Sequence, residues 1–130
     1  MEKAFFIIYV EDQDRSRAFY EAVLGAKPIL DVPGMTEFRL TDSSSLGIMP
    51  EQGIADLLGD ELPHPQTGHG IPRCELYLLV TDPIESYEGL LAAGGKGISS
   101  VQPRPWGDRV AYGADPDGHV LAFACPLDVK

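Results

Sequence analysis

The sequence predicts an α+β fold built from two βαβββ modules, and three observations predict it. Two segments 70 residues apart repeat each other without a gap: Val10 matches Val80, Asp12 matches Asp82, Ser16 matches Ser86, Ala22 matches Ala92 and Gly25 matches Gly95. In each copy a strand-like apolar run (Ile7 to Asp12, Tyr77 to Asp82) leads into a helix-like run that ends in glycine. After each helix come three short β-rich segments separated by turn residues. The modules occupy residues 1–50 and 73–130, with a connector over 51–72.

Ala4 to Val10 is aromatic and β-branched, the composition of a buried strand. Asp12 or Asp14 can cap the helix that follows, because a carboxylate oxygen satisfies an orphan amide there. Ala18, Phe19, Ala22 and Val23 form its apolar stripe, and Gly25 stops it in the left-handed conformation. Ile29 to Val32, Thr36 to Leu40 and Leu46 to Met49 read as strands, with turns at Pro33-Gly34 and Asp42 to Ser45. In the second module Glu75 to Val80 is a strand. A helix opens at Asp82-Pro83, with Ile84, Tyr87, Leu90 and Leu91 facing inward. Gly97 to Val101, Arg109 to Gly113 and Val120 to Ala124 are strands, the last two joined by the tight turn Asp115-Pro116-Asp117-Gly118. The connector is rich in proline and glycine and reads as exposed, with one helical turn over Ile54 to Leu58. It is either a flap or a passive tether.

With 130 residues, 44% of them hydrophobic, the chain has enough apolar material for one core or two half-cores. The formal net charge is −10, which disfavours nucleic acid and would favour a cationic ligand; solubility alone also explains it. No apolar run reaches the roughly 18 residues of a membrane span, and no signal peptide is expected. Cys74 and Cys125 match neither a metal motif nor a disulfide framework, so the expected compartment is the cytoplasm.

Several motifs together resemble the vicinal oxygen chelate superfamily of glyoxalases, bleomycin-resistance proteins and extradiol dioxygenases. They are Tyr9-Val10 with Asp12, then Ser16, Arg17, Phe19 and Tyr20, then Val23-Leu24-Gly25, and later Pro105-Trp106-Gly107 and Asp115 to His119. The resemblance covers nearly the whole chain outside the connector. It implies two βαβββ modules whose mixed sheets curve into a cup around a ligand. In the enzymes of the superfamily, a divalent metal is held there by residues on the first and fourth strands of both modules. Carried onto this sequence, those positions are Phe5, Met49, Glu75 and Ala122. Only Glu75 is a donor, and such metals need several imidazoles or carboxylates. The expectation is therefore no metal and no cofactor. His64 and His69 lie in the connector and read as exposed, and His119 follows a turn.

By strand parity Phe5, Ile7 and Tyr9 share one face, and Glu75, Tyr77 and Leu79 share another. These two faces would make the cup apolar and aromatic, suited to a flat organic ligand. Glu75 is the one charge expected there. It is read as held by a structural ion pair or a bond to Tyr9, as the partner of a cationic ligand, or as a general base. Trp106 stands at the mouth of the cup or packs its edge. Arg104 and Arg109 either recognise an anion or pair with surface acids. Arg109 and Tyr112 lie on opposite faces of one strand by parity.

The candidate ligand-binding set is Phe5, Ile7, Tyr9, Met49, Glu75, Tyr77, Trp106, Arg109 and Ala122, with Glu75 the candidate catalytic residue. The leading expectation is a metal-independent small-molecule binding protein, active as a homodimer and capturing a cationic or aromatic compound. This is what the resemblance to bleomycin-resistance proteins implies. The alternative is a lyase or isomerase like lactoylglutathione lyase, acting on a small carbonyl or thioether substrate. A purely structural partner has only the acidic surface in its favour.

Overall fold

The structure is a computed structural model that describes residues 1–128. The chain forms two compact units, Met1–His69 and Gly70–Lys130. In the first, β1 (Ala4–Val10), α1 (Gln13–Leu24), β2 (Leu30–Val32), β3 (Met35–Thr41) and β4 (Ser44–Pro50) are followed by α2 (Glu51–Leu58) and two short 3-10 turns. In the second, β5 (Glu75–Leu79) leads to α3 (Pro83–Ala92), β6 (Lys96–Pro103), β7 (Asp108–Ala114) and β8 (Val120–Pro126). Each unit contains one four-stranded mixed sheet, ordered β1-β4-β3-β2 or β5-β8-β7-β6. The architecture is α+β with two βαβββ modules. Among the described residues no helix is long and apolar enough to cross a membrane.

Local chemistry fixes both helix starts. Asp12 accepts from the Arg15 amide at 3.0 Å, and Asp82 accepts from the Ile84 and Glu85 amides at 3.1 and 3.3 Å. Gly25 ends α1 at φ 66°, its N–H donating to the Glu21 carbonyl.

The buried face of α1 is Ser16, Phe19 and Tyr20, not the expected stripe through Ala18 and Ala22, which are exposed. The bulky Tyr20 claims the core face, and Phe19 meets it edge-on at 5.0 Å. In α3 the inward residues are Pro83 and Leu90, whereas Ile84 and Leu91 are exposed. The repeat matches Tyr20 with Leu90, and both are fully buried. Burying a side chain of this size contributes about 1.5–3 kcal/mol.

The connector is more ordered than its composition suggests. It forms a helix of 8 residues whose Glu51 is buried and hydrogen-bonded to His69 Nε2. His64 is half-buried, and its Nδ1 accepts from the Gln66 amide. Pairing between Glu51 and His69 across 18 residues could not be read from local pattern.

Leu90 seats against two glycines. A Cβ on Gly95 would stand 2.5 Å from a Leu90 methyl and 2.9 Å from the Ala114 carbonyl oxygen; one on Gly113 would stand 2.8 Å from Leu90. Gly95→Ala should therefore cost about 1–3 kcal/mol through overpacking. Urea denaturation measures it, and an unchanged midpoint would show that this contact yields freely.

Candidate functional site

Strand register in the second unit assembles the candidate site. β5 and β8 pair in parallel, with Glu75 opposite Val120, Tyr77 opposite Ala122 and Leu79 opposite Ala124. β7 pairs antiparallel with β8, with Asp108 opposite Pro126, Val110 opposite Ala124 and Tyr112 opposite Ala122. Alternation places all these residues on one face. Across its middle runs the row Tyr77, Ala122, Tyr112, in which Ala122 is fully buried and Tyr77 is exposed. Leu121 and Phe123 point to the other face and are fully buried in the core.

The loop between β6 and β7 delivers an indole to this face. Gly107 N–H donates to the Arg104 carbonyl, and the Arg104 amide donates to the Asp108 carbonyl. Gly107 has φ 97°, the left-handed conformation such a short hairpin loop requires. Trp106 Nε1–H donates to the Tyr77 hydroxyl at 2.8 Å, and that hydroxyl donates to Asp108 Oδ2 at 2.5 Å. Burial, with the Asp108 carboxylate adding to it, raises the Tyr77 phenol above its ordinary range. The phenol therefore stays a neutral donor at ordinary pH. The Trp106 ring remains 57% exposed, so its plane is available for stacking.

Arg104 supports Tyr112. Its guanidinium lies 5.0 Å from the Tyr112 ring centre, and its Nη2 donates to Ser99 Oγ at 2.8 Å and to the Val110 carbonyl at 2.9 Å. Arg109 sits on the opposite face, as parity requires, and donates to Cys125 Sγ at 3.0 Å. It is therefore not brought together with Tyr77 and Ala122. Glu75 shares their face but is exposed, with no hydrogen-bond or ion-pair partner among the described residues. The structural ion pair expected for it does not form within this unit.

Phe5, Ile7, Tyr9 and Met49 lie in the first unit. Phe5 is opposite Ser45, Ile7 opposite Gly47 and Tyr9 opposite Met49. Lys3 Nζ stands 4.9 Å over the Phe5 ring and 3.2 Å from Glu37. The buried Glu37 carboxyl is held below its ordinary range by the Ser45 hydroxyl, then by Lys3, with burial opposing. Register corrects one equivalence. Ala122 pairs with Tyr77, and the residue paired with the matching Ile7 is Gly47, not Met49. The matching positions are thus Phe5 and Gly47 in the first unit and Glu75 and Ala122 in the second, and neither pair by itself offers the several donors a divalent metal needs.

Asp115, Asp117 and His119 bring ligating atoms within 4.8 Å of one another. Asp115 Oδ1 accepts the Asp117 and His119 amides, and Oδ2 meets His119 Nδ1 at 2.9 Å. Those bonds hold the turn before β8.

Asp108 is the residue that sequence reasoning missed. Extending the alternation of Val110 and Tyr112 back by one step puts it on the site face, but the strand was taken to begin at Arg109.

The chain is similar to known proteins in sequence and in fold. An uncharacterized protein of Mycobacterium bovis is 25% identical over 124 residues, covering 92% of this chain and 80% of that protein. A glyoxalase-related enzyme from Fulvimarina pelagi superposes with a TM-score of 0.80 at 24% identity, covering 94% of this chain and 86% of that one. A glyoxalase/bleomycin resistance protein/dioxygenase family enzyme from Burkholderia phytofirmans gives 0.76 at 21% identity, covering 95% and 97%. These structural likenesses show the fold. With residues 4–123 matching its family model, the chain belongs to the Glyoxalase/Bleomycin resistance protein/Dioxygenase superfamily.

Proposed function

We propose that this protein is a small-molecule binding protein that acts by capture, without a metal, on a cationic or aromatic compound. The observation that carries the reading is the row Tyr77, Ala122, Tyr112 with the exposed Trp106 indole beside it. Ring faces bind flat molecules by stacking and area burial, at about 25 cal/mol per Å² before ordering costs. Glu75 contributes a carboxylate to the same face. We take Phe5, Ile7, Tyr9 and Met49 to supply ligand contacts from the first module, and the working form to be a cytoplasmic homodimer. The free Glu75 carboxylate also favours a lyase or isomerase reading, with Glu75 as base. Turnover of a hemithioacetal that Glu75→Gln abolishes would put that reading first.

Nickel, zinc or manganese should leave the melting temperature unchanged, because only a ligand that binds the native state stabilises it. A midpoint rise that Glu75→Gln removes would overturn the metal-free reading.

Trp106→Leu should weaken binding of aromatic ligands while keeping stability within about 0.5 kcal/mol, since the ring is exposed. Calorimetric titration and a melt on the one variant check both. Full affinity without the indole would remove Trp106 from the site.

A further inference from the structure

We propose that Asp108 is the charge-selecting group of this face, and that it selects a flat ring carrying a fixed positive charge, of the N-alkylpyridinium class. This rests on the reading that the Tyr77 face binds a ligand. The argument follows the direction of each hydrogen bond. The Trp106 N–H is spent on the Tyr77 oxygen, and the Tyr77 O–H is spent on Asp108 Oδ2. Arg104 directs Nη2 to Ser99 and Val110 and covers the Tyr112 ring. The indole and phenol donors are therefore used internally, and Arg104 Nε, which has no partner, is buried away from the surface. What remains open is an acceptor, Asp108 Oδ1, which has no partner among the described residues, and the exposed ring of Trp106. No arginine, lysine or histidine pairs with Asp108 among those residues. An anion or a carbonyl compound finds no donor at this point. A cation on an aromatic ring satisfies both open features, the carboxylate by charge and the indole by stacking and cation–π attraction. Glu75 lies on the far side of Tyr77 along β5, so a ligand of one ring at Trp106 is read by Asp108.

Trp106 is the only tryptophan in the chain, so its fluorescence reports this site directly. The probes are 1-methylnicotinamide, whose methylated ring nitrogen makes it a cation, and nicotinamide, its uncharged counterpart. The wild-type chain should show saturable quenching by the cation at a Kd about tenfold or more below that of nicotinamide, the size of one charge-assisted bond. Asp108→Asn keeps an oxygen for the Tyr77 hydroxyl, and the two affinities should converge in it through loss of cation binding alone. Glu88→Gln, which removes the same charge from the exposed surface of α3, should keep the preference. Asp108→Ala should make the two affinities converge as well; this variant carries the test if Asp108→Asn fails to fold. Quenching by both probes that never saturates in the wild type would sink the binding reading of the face itself. Saturable binding of both at equal affinity would overturn only the charge selection, as would a preference that survives Asp108→Asn or Asp108→Ala. Loss of the preference in Glu88→Gln would trace it to net charge and overturn the assignment too.

Discussion

The parallel pairing of β5 with β8 is the constraint on which the rest of the second unit depends. A slip of one residue would turn every side chain of β5 to the other face. Tyr77 would then enter the core and Leu78 would take its place beside Ala122. Two contacts hold the register. The Val80 amide donates to the Ala124 carbonyl, extending the ladder past the end of the strand. The Asp115 side chain, satisfied by two amides and His119, fixes where β8 begins after its turn. Leu90 locks the helix over that arrangement by fitting against Gly95 and Gly113. The position of Tyr77 next to Ala122 is thus a consequence of packing some distance away.

The first unit has the same register and a different chemistry. Its central row is Ile7, Gly47 and Glu37, where the second unit has Tyr77, Ala122 and Tyr112. The charge in the first row is already answered, because Lys3 Nζ pairs with the Glu37 carboxylate. The stability Glu37 lends is therefore present above the ordinary carboxylate range and is lost as pH falls through its lowered value. In the second row Tyr77 is exposed and Tyr112 half-buried, and the neighbouring Asp108 carboxylate has an open oxygen. Duplication supplied one frame twice, and the two copies differ in whether the carboxylate beside the row has a cationic partner among the described residues.

Most of the frame was legible in the sequence because it rests on local rules. The caps at Asp12 and Asp82, the left-handed stop at Gly25 and strand parity each need only a few neighbouring residues. Parity alone put Arg109 opposite Tyr112, yet Arg109 was still grouped with the site, because a guanidinium near a cleft suggests recognition. The structure puts it against Cys125. The features that escaped depend on distant partners or on a count of residues in a turn. Glu51 is buried because His69 comes back to meet it. The resemblance carries the first-module position to Met49, but the turns before β4 and β8 differ in length. Ladder register, which sets the real equivalence, assigns Gly47. Asp108 escaped because β7 begins one residue earlier than its hydrophobic pattern.

A small central residue leaves the shape of each row to its flanking side chains. The middle strand of each unit carries a small residue where the resemblance implies a ligand, Gly47 or Ala122. A small residue there lets its neighbours lean across the strand. A Cβ at Gly47 would stand 2.6 Å from Ile7 Cδ1, so the isoleucine already occupies the space a longer side chain would need. At Ala122 the single methyl leaves the tyrosines on either side as the bulk of the row, and Tyr77 reaches on to Trp106 and Asp108. Restoring a carboxylate at Ala122 alone would desolvate a charge between two phenol rings without a second donor to share a metal, which is costly. With a small residue on the central strand, the flanking side chains fill the row, and the second unit presents ring surface with the Asp108 carboxylate at its edge.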